Sequence, residues 1–177
     1  YNASQFLGIS ARANSGWKFA MWLTNGVQNS SNTNSTTLLV MGPINETAVF
    51  YAGLSITAGD NGYVNYNYGT VSGTVSSGSA SMVYAPPGTT ISLNAIPDST
   101  FYSSSGWNGG NISSSSSTQN IVLSAPTTVG ATFTFNILPI AIIAAVLVGV
   151  VAAVAVIIVK RGGSKQFADS SGHGWKW

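Results

Sequence analysis

Apolar and polar residues are patterned differently on the two sides of Asn136. Before it, short apolar or alternating runs are separated by turn residues roughly every 6 to 12 positions, the spacing of a β protein. The runs predict strands at Gly8 to Ala13, Lys18 to Leu23, Thr37 to Met41, Thr47 to Tyr51, Leu54 to Ala58 and Tyr63 to Tyr68. Further strands are expected at Ser79 to Tyr84, Thr89 to Ala95, Tyr102 to Trp107, Asn120 to Leu123 and Thr128 to Phe135. Asp60-Asn61-Gly62 and Pro86-Pro87-Gly88 supply turns, because these residues accept positive φ or pre-set it.

After Asn136 the alternation stops. From Ile140 to Val159 twenty consecutive residues lack a polar side chain, and thirteen of them are Ile, Val or Leu. At about 1.5 Å per residue the run spans about 30 Å, the hydrocarbon thickness of a bilayer. Its insertion is worth on the order of −4 to −8 kcal/mol. A β-branched run of this kind would favour strand in water. In lipid it must satisfy its own backbone hydrogen bonds and becomes a helix. A signal peptide is a poor alternative, since the run lies near the C-terminus and stops at Lys160-Arg161. Lys160, Arg161 and Lys165 follow it while its N-terminal flank has no cation, which places the C-terminus in the cytoplasm and the N-terminus outside. Ala145, Gly149 and Ala153 form a small-residue stripe on which a partner helix could pack.

Two stretches of the β region match when slid by 82 to 85 residues. Gly8-Ile9-Ser10-Ala11-Arg12-Ala13 through Trp22 matches Thr90-Ile91-Ser92-Leu93-Asn94-Ala95 through Trp107. Each Trp is followed by a polar loop, an apolar strand (Leu38 to Met41; Ile121 to Leu123), a proline (Pro43; Pro126) and, seven residues later, a phenylalanine (Phe50; Phe133). Gly69-Thr70-Val71, Pro87-Gly88-Thr89-Thr90-Ile91-Ser92-Leu93-Asn94-Ala95-Ile96-Pro97, Gly106-Trp107-Asn108-Gly109 and Ala131-Thr132-Phe133 together resemble the divergent B-repeat family of cell-surface proteins. The resemblance covers residues 52–135 well and 7–51 in part, and Met21-Trp22-Leu23 lacks the glycines that flank Trp107. It implies an archaeal-type membrane-anchored surface protein, and its motif of packing and turn residues says little about chemistry.

The fold expected is therefore all-β, tandem small repeat domains followed by a single transmembrane α-helix. Residues 1–51 form the C-terminal part of one repeat, 52–136 a complete repeat, 137–159 the membrane helix and 160–177 a basic cytoplasmic tail. The first copy has only eight residues before Ile9, so its N-terminal part is missing and the chain starts at a processing site or is a fragment. Unpaired strand edges aggregate. A neighbouring surface-protein chain, or the severed N-terminal part of the precursor, is accordingly expected to complete that sheet.

Charge narrows the function classes. The net charge of +2 comes from the tail, where Lys160, Arg161, Lys165 and Lys176 face only Asp169. Residues 1–136 carry Arg12 and Lys18 against Glu46, Asp60 and Asp98. Nucleic acid is excluded as a partner, since phosphate binding needs clustered cations on the folded part. With no cysteine in the chain there is no disulfide or thiolate metal site. Asp60 and Asp98 lie in turn contexts and Glu46 in Asn45-Glu46-Thr47, so a solvated role outweighs acid-base catalysis. The lone histidine, His173, is in the tail, where Gly172-His173-Gly174-Trp175 could bind metal, rest at the membrane interface or be disordered. No catalytic residue, cofactor or metal is assigned.

The remaining chemical signal is five Asn-x-Ser/Thr sequons headed by Asn2, Asn29, Asn34, Asn45 and Asn111. Trp22 and Trp107 could serve as sugar platforms, but their equivalent places in the two copies argue for core packing. The leading reading is a non-enzymatic, N-glycosylated stalk on the cell membrane, its partners the bilayer, its glycans and neighbouring surface chains. Two rivals remain. One is the C-terminal anchor of a secreted hydrolase, since similar endings occur on archaeal proteins resembling thermopsin. The other is a single-pass accessory subunit of a membrane complex.

Overall fold

The structure is a computed structural model that describes residues 5–29, 31–110, 112 and 114–162. The chain forms two compact units that divide between Phe135 and Asn136.

The first unit contains twelve strands among its described residues: β1 (Gln5–Ser10), β2 (Trp17–Thr24), β3 (Val27–Gln28), β4 (Ser35–Val40), β5 (Glu46–Ala58) and β6 (Gly62–Tyr68). They are followed by β7 (Val71–Val75), β8 (Ala80–Ala85), β9 (Thr89–Pro97), β10 (Tyr102–Asn108), β11 (Thr118–Leu123) and β12 (Thr127–Phe135). The alternation that predicted them is the alternation of burial. In β9, Ile91, Leu93 and Ala95 are buried while Thr90, Ser92 and Asn94 are not, as a strand with one covered face requires.

The second copy is a two-layer sandwich. One layer runs β11-β9-β6-β7, and the other sets β10, β12 and β8 around the C-terminal half of β5. Sixteen buried residues from both layers form one cluster, among them Leu54, Ile56, Val64, Ile91, Leu93, Trp107, Leu123 and Val129. The first copy repeats only part of this. Its β2 pairs with Glu46–Ala52 of β5 as β10 pairs with β12, and β1 pairs with β4 as β9 pairs with β11. The likeness extends to a bulge at the same place, between Phe19 and Met21 in β2 and between Ser104 and Gly106 in β10. Both tryptophans following the bulge are buried, Trp22 and Trp107, which is the core packing expected of them.

Several elements differ from their sequence expectation. Thr47 to Tyr51 and Leu54 to Ala58 are one continuous strand, β5, so the repeat boundary expected at residues 51 and 52 lies within it. Ala52 pairs with Trp17 on one side and with Ala85 on the other, so the last strand of one copy becomes the first strand of the next. Strand β7 and the short β3 were not expected. The signal for β3 was Asn25-Gly26, both at positive φ (49° and 82°), which closes a two-residue hairpin between β2 and β3. The first strand lies at Gln5–Ser10 rather than Gly8 to Ala13 because its partner fixes it. Leu7 faces Leu38 and Ile91 faces Ile121, so Leu7, and not Ile9, is the counterpart of Ile91.

The second unit is helix α1, Leu138–Gly162. Asn136 accepts a hydrogen bond from the Leu138 amide through Oδ1 at 3.1 Å, and Pro139 occupies the first turn, where a missing N–H costs nothing. The 23 residues Leu138–Lys160 are long and apolar enough to cross a bilayer, and the most apolar part of that stretch is not buried against protein. The helical backbone continues past Lys160 to Gly162.

Candidate interaction surface

The carboxylates of the β unit do not converge. Asp60 lies in the turn between β5 and β6, beside Asn61 at φ 70°. The Asp98 amide donates to the Asn61 carbonyl at 3.0 Å, so both acids serve one end of the sandwich as turn residues. Among the described residues no group of three His, Asp or Glu side chains could hold a metal ion. His173 lies outside the described residues.

Three of the five sequon asparagines are described. Asn34 and Asn45 are exposed, and Asn29 is half-buried. The Asn29 amide nitrogen donates to Thr24 Oγ1 at 3.3 Å and its oxygen accepts from the Ser31 amide at 3.2 Å. A glycan at Asn29 would take one of the two hydrogens on the nitrogen that makes the first of these bonds, whereas Asn34 and Asn45 lie in open solvent. Asn2 and Asn111 lie outside the described residues, as does Lys165. Lys160 is exposed at the end of the apolar stretch of α1, and Arg161 continues the helical backbone.

The outer face of the four-stranded layer is uncharged. Cross-strand registry sets Thr74, Asn65, Asn94 and Thr118 in one row and Ser72, Asn67, Ser92 and Asn120 in the next. These rows line a shallow depression of about 630 Å³, and Thr74 Oγ1 donates to Asn65 Oδ1 at 2.7 Å across it. Such a face is wetted by hydroxyls and amides and carries no carboxylate, ammonium or guanidinium group. Tyr68, on the opposite face of β6, donates its hydroxyl to the Tyr84 carbonyl at 3.1 Å. Burial, with smaller contributions from Tyr66 and Tyr51, pushes its pKa above the usual tyrosine value.

The first copy presents the other distinctive surface. Strand β9 is hydrogen-bonded on both sides, by β11 and β6, whereas among the described residues its counterpart β1 pairs with β4 alone. The consequence is visible in burial. Ile91 is 0% exposed and Leu7, its counterpart, is 44% exposed. Strand β12 is likewise flanked by β10 and by a parallel neighbour, the C-terminal half of β5. Its counterpart, the N-terminal half of β5, is paired with β2 and, among the described residues, has no strand on its other side before Ala52. Trp22 pairs with Ala48 as Trp107 pairs with Ala131, so Glu46 occupies the position of Val129. Val129 is fully buried. Glu46 sits in that apolar position with both carboxylate oxygens shielded from solvent and no hydrogen-bond partner. The matched spacings Pro43 to Phe50 and Pro126 to Phe133 carry the signal for this equivalence, which a reading of Glu46 as solvated passes over.

The model of the divergent InlB B-repeat domain matches the chain twice, over residues 1–54 and 53–137. The junction of the two matches falls within β5, where the copies share a strand. No curated protein and no solved structure matches the chain. Two matches that together span the whole β region, on a fold that repeats its strand pairing, its bulge and its buried tryptophan, make this chain a member of the divergent InlB B-repeat family.

Proposed function

We propose that the chain is a membrane-anchored surface module in which a B-repeat ectodomain stands on a single transmembrane helix, N-terminus outside and C-terminus in the cytoplasm. The observation that carries this reading is the pairing of a β unit with a separate helix whose apolar stretch is uncovered by protein. An uncovered run of Ile, Val and Leu is unfavourable in water by roughly 25 cal/mol per Å², and lipid is the medium that removes the cost. Lys160, Arg161 and Lys165 on the C-terminal side supply the charge bias that orients the helix.

The work of such a module is mechanical and adhesive. It spaces its near-neutral surface of Ser, Thr and Asn from the bilayer and presents β surfaces to neighbouring chains. N-linked glycans at Asn34 and Asn45 extend that wet surface, both side chains being open to solvent. The test is extraction. The full chain is expected to stay with membranes through alkaline carbonate washing and to leave them only in detergent, and a chain ending at Asn136 is expected in the soluble fraction. Carbonate release of the full chain would overturn the anchor.

A further inference from the structure

Strand β12 outruns the core it covers. Val129, Ala131, Phe133 and Phe135 alternate onto one face of it. Val129 and Ala131 are buried and Phe133 packs partly buried against the core cluster, yet Phe135 is 56% exposed. Tyr102, its partner on β10, meets it edge to face, with ring centroids 5.7 Å apart at 79°. Phe101, in the turn before β10, is exposed as well.

The first copy treats the same position differently. Trp17 pairs with Ala52 just beyond the Phe19–Phe50 pair, as Tyr102 pairs with Phe135 just beyond Ser104–Phe133. Ala52 is 0% exposed and Trp17 packs against the core cluster. The chain there runs on along β5 into the next copy, whose β8 pairs Ala85 with Ala52. After Phe135 no strand follows within the chain: Asn136 and Ile137 lead directly to Leu138, where α1 begins. A small residue that the next repeat buries is thus replaced by a large open aromatic one where an apolar helix follows. We propose that Phe101, Tyr102 and Phe135 form a lipid-contact patch that seats the β unit on the bilayer interface, in the place that a following repeat takes in the first copy.

This seating rests on the membrane-anchor reading and deepens it. Three residue steps from Phe135 to Leu138 reach at most about 11 Å, and the headgroup layer is about 5–7 Å thick on each side of the hydrocarbon. Covalent reach alone therefore keeps Phe135 near that layer once the helix is inserted. Aromatic rings, with a hydroxyl on one of them, are the side chains favoured at this depth. Asp60 and Asp98 are exposed in turns at the same end of the sandwich, where Phe133 lies against Gly62 and the Asp98 amide bonds the Asn61 carbonyl. Their charge selects a zwitterionic headgroup over an anionic one.

Full-length chain is placed in zwitterionic nanodiscs at one chain per disc, which leaves no second copy to cover the patch. A nitrobenzoxadiazole probe is attached to Thr100→Cys, exposed beside Phe101, or to Ser72→Cys on β7, which faces Asn67, five residues along β6 from Gly62. Lipids carrying a nitroxide at the headgroup should quench the Thr100 probe and spare the Ser72 probe. Phe101→Ser with Phe135→Ser should shift the ratio of seated to released units by about tenfold or more and abolish most of the quenching. The same variant should still resist carbonate and keep its near-ultraviolet circular dichroism, which separates loss of seating from loss of the anchor or of the fold. Phe101→Ser alone should weaken quenching in the same direction without touching β12, and Phe135→Trp should retain it. Discs of anionic lipid should quench the Thr100 probe less at low salt, and the difference should shrink in high salt. Equal quenching in the parent and the serine variants, or none in either, in chains that resist carbonate would overturn the seating. So would quenching that appears only with two chains per disc, and stronger quenching on anionic lipid would overturn the headgroup assignment.

Discussion

Leu7 and Ile91 occupy equivalent positions in the two copies, and their truncation separates a half-exposed position from a fully buried one. Ile91 is 0% exposed and belongs to the sixteen-residue cluster, so Ile91→Ala removes packed atoms and leaves a cavity, at about 2–5 kcal/mol. Leu7 keeps 44% of its surface in water. Full burial of a leucine is worth about 1.5–3 kcal/mol, so Leu7→Ala forfeits only about 1 kcal/mol and opens no enclosed void. For a unit of this size each kcal/mol moves Tm by roughly 3–5 °C. Ile91→Ala should lower the midpoint by roughly 6–25 °C and Leu7→Ala by roughly 5 °C or less. The assay is thermal unfolding of the detergent-solubilised chain followed by near-ultraviolet circular dichroism, which reports the tryptophans buried in both copies. Both variants should unfold in one transition, because β5 belongs to both copies and couples them. Equal losses for the two variants, or separate transitions for the two copies, would refute the reasoning.

Other outcomes follow from single positions. A Cβ at Gly106, where φ is 124°, would overlap the Ser114 carbonyl oxygen, so Gly106→Ala should cost about 1–3 kcal/mol in urea unfolding. Gly8→Ala, with nothing within 4 Å, should be close to neutral and is the control. Tyr68 has its pKa raised in the folded state, so its contribution is intact below the ordinary tyrosine value near 10 and is lost as pH climbs through the raised value. Unfolding titrations should show a fall in stability above about pH 10 that shrinks in Tyr68→Phe, at the cost of about 1 kcal/mol for the bond to Tyr84. Chain produced in a glycosylating host should gain glycan mass that falls stepwise in Asn34→Gln and Asn45→Gln, and an intact mass equal to the bare polypeptide would refute the glycan reading.

Where the sequence could be read and where it misled have separate physical causes. The period-2 burial of β9 and the apolar length of α1 are local patterns, and both elements were plain from them. The repeat was visible through its tryptophans, prolines and phenylalanines, because packing and turn residues recur wherever the fold recurs. Register was not legible. Ile9-Ser10 reads like Ile91-Ser92, but β4 decides which residue of β1 faces the core, and that pairing spans about thirty residues of chain. The fusion of two predicted strands into β5 was hidden for a similar reason: Ala52-Gly53 reads as a break, yet pairing with Trp17 and Ala85 carries the strand through it. Glu46 was the most instructive error. A carboxylate in a polar tripeptide reads as solvated, and only its place at the position of Val129 shows that it faces inward.

Topology tests the account most directly, and the absence of native cysteine makes it clean to measure. Single cysteines are introduced at Ser72, exposed on β7, and at Ser170 in the tail, and intact cells are treated with a membrane-impermeant maleimide. The account predicts that Ser72→Cys is labelled on intact cells and Ser170→Cys only after lysis. Labelling of Ser170→Cys on intact cells with Ser72→Cys protected, or recovery of both variants from the soluble fraction, would contradict it.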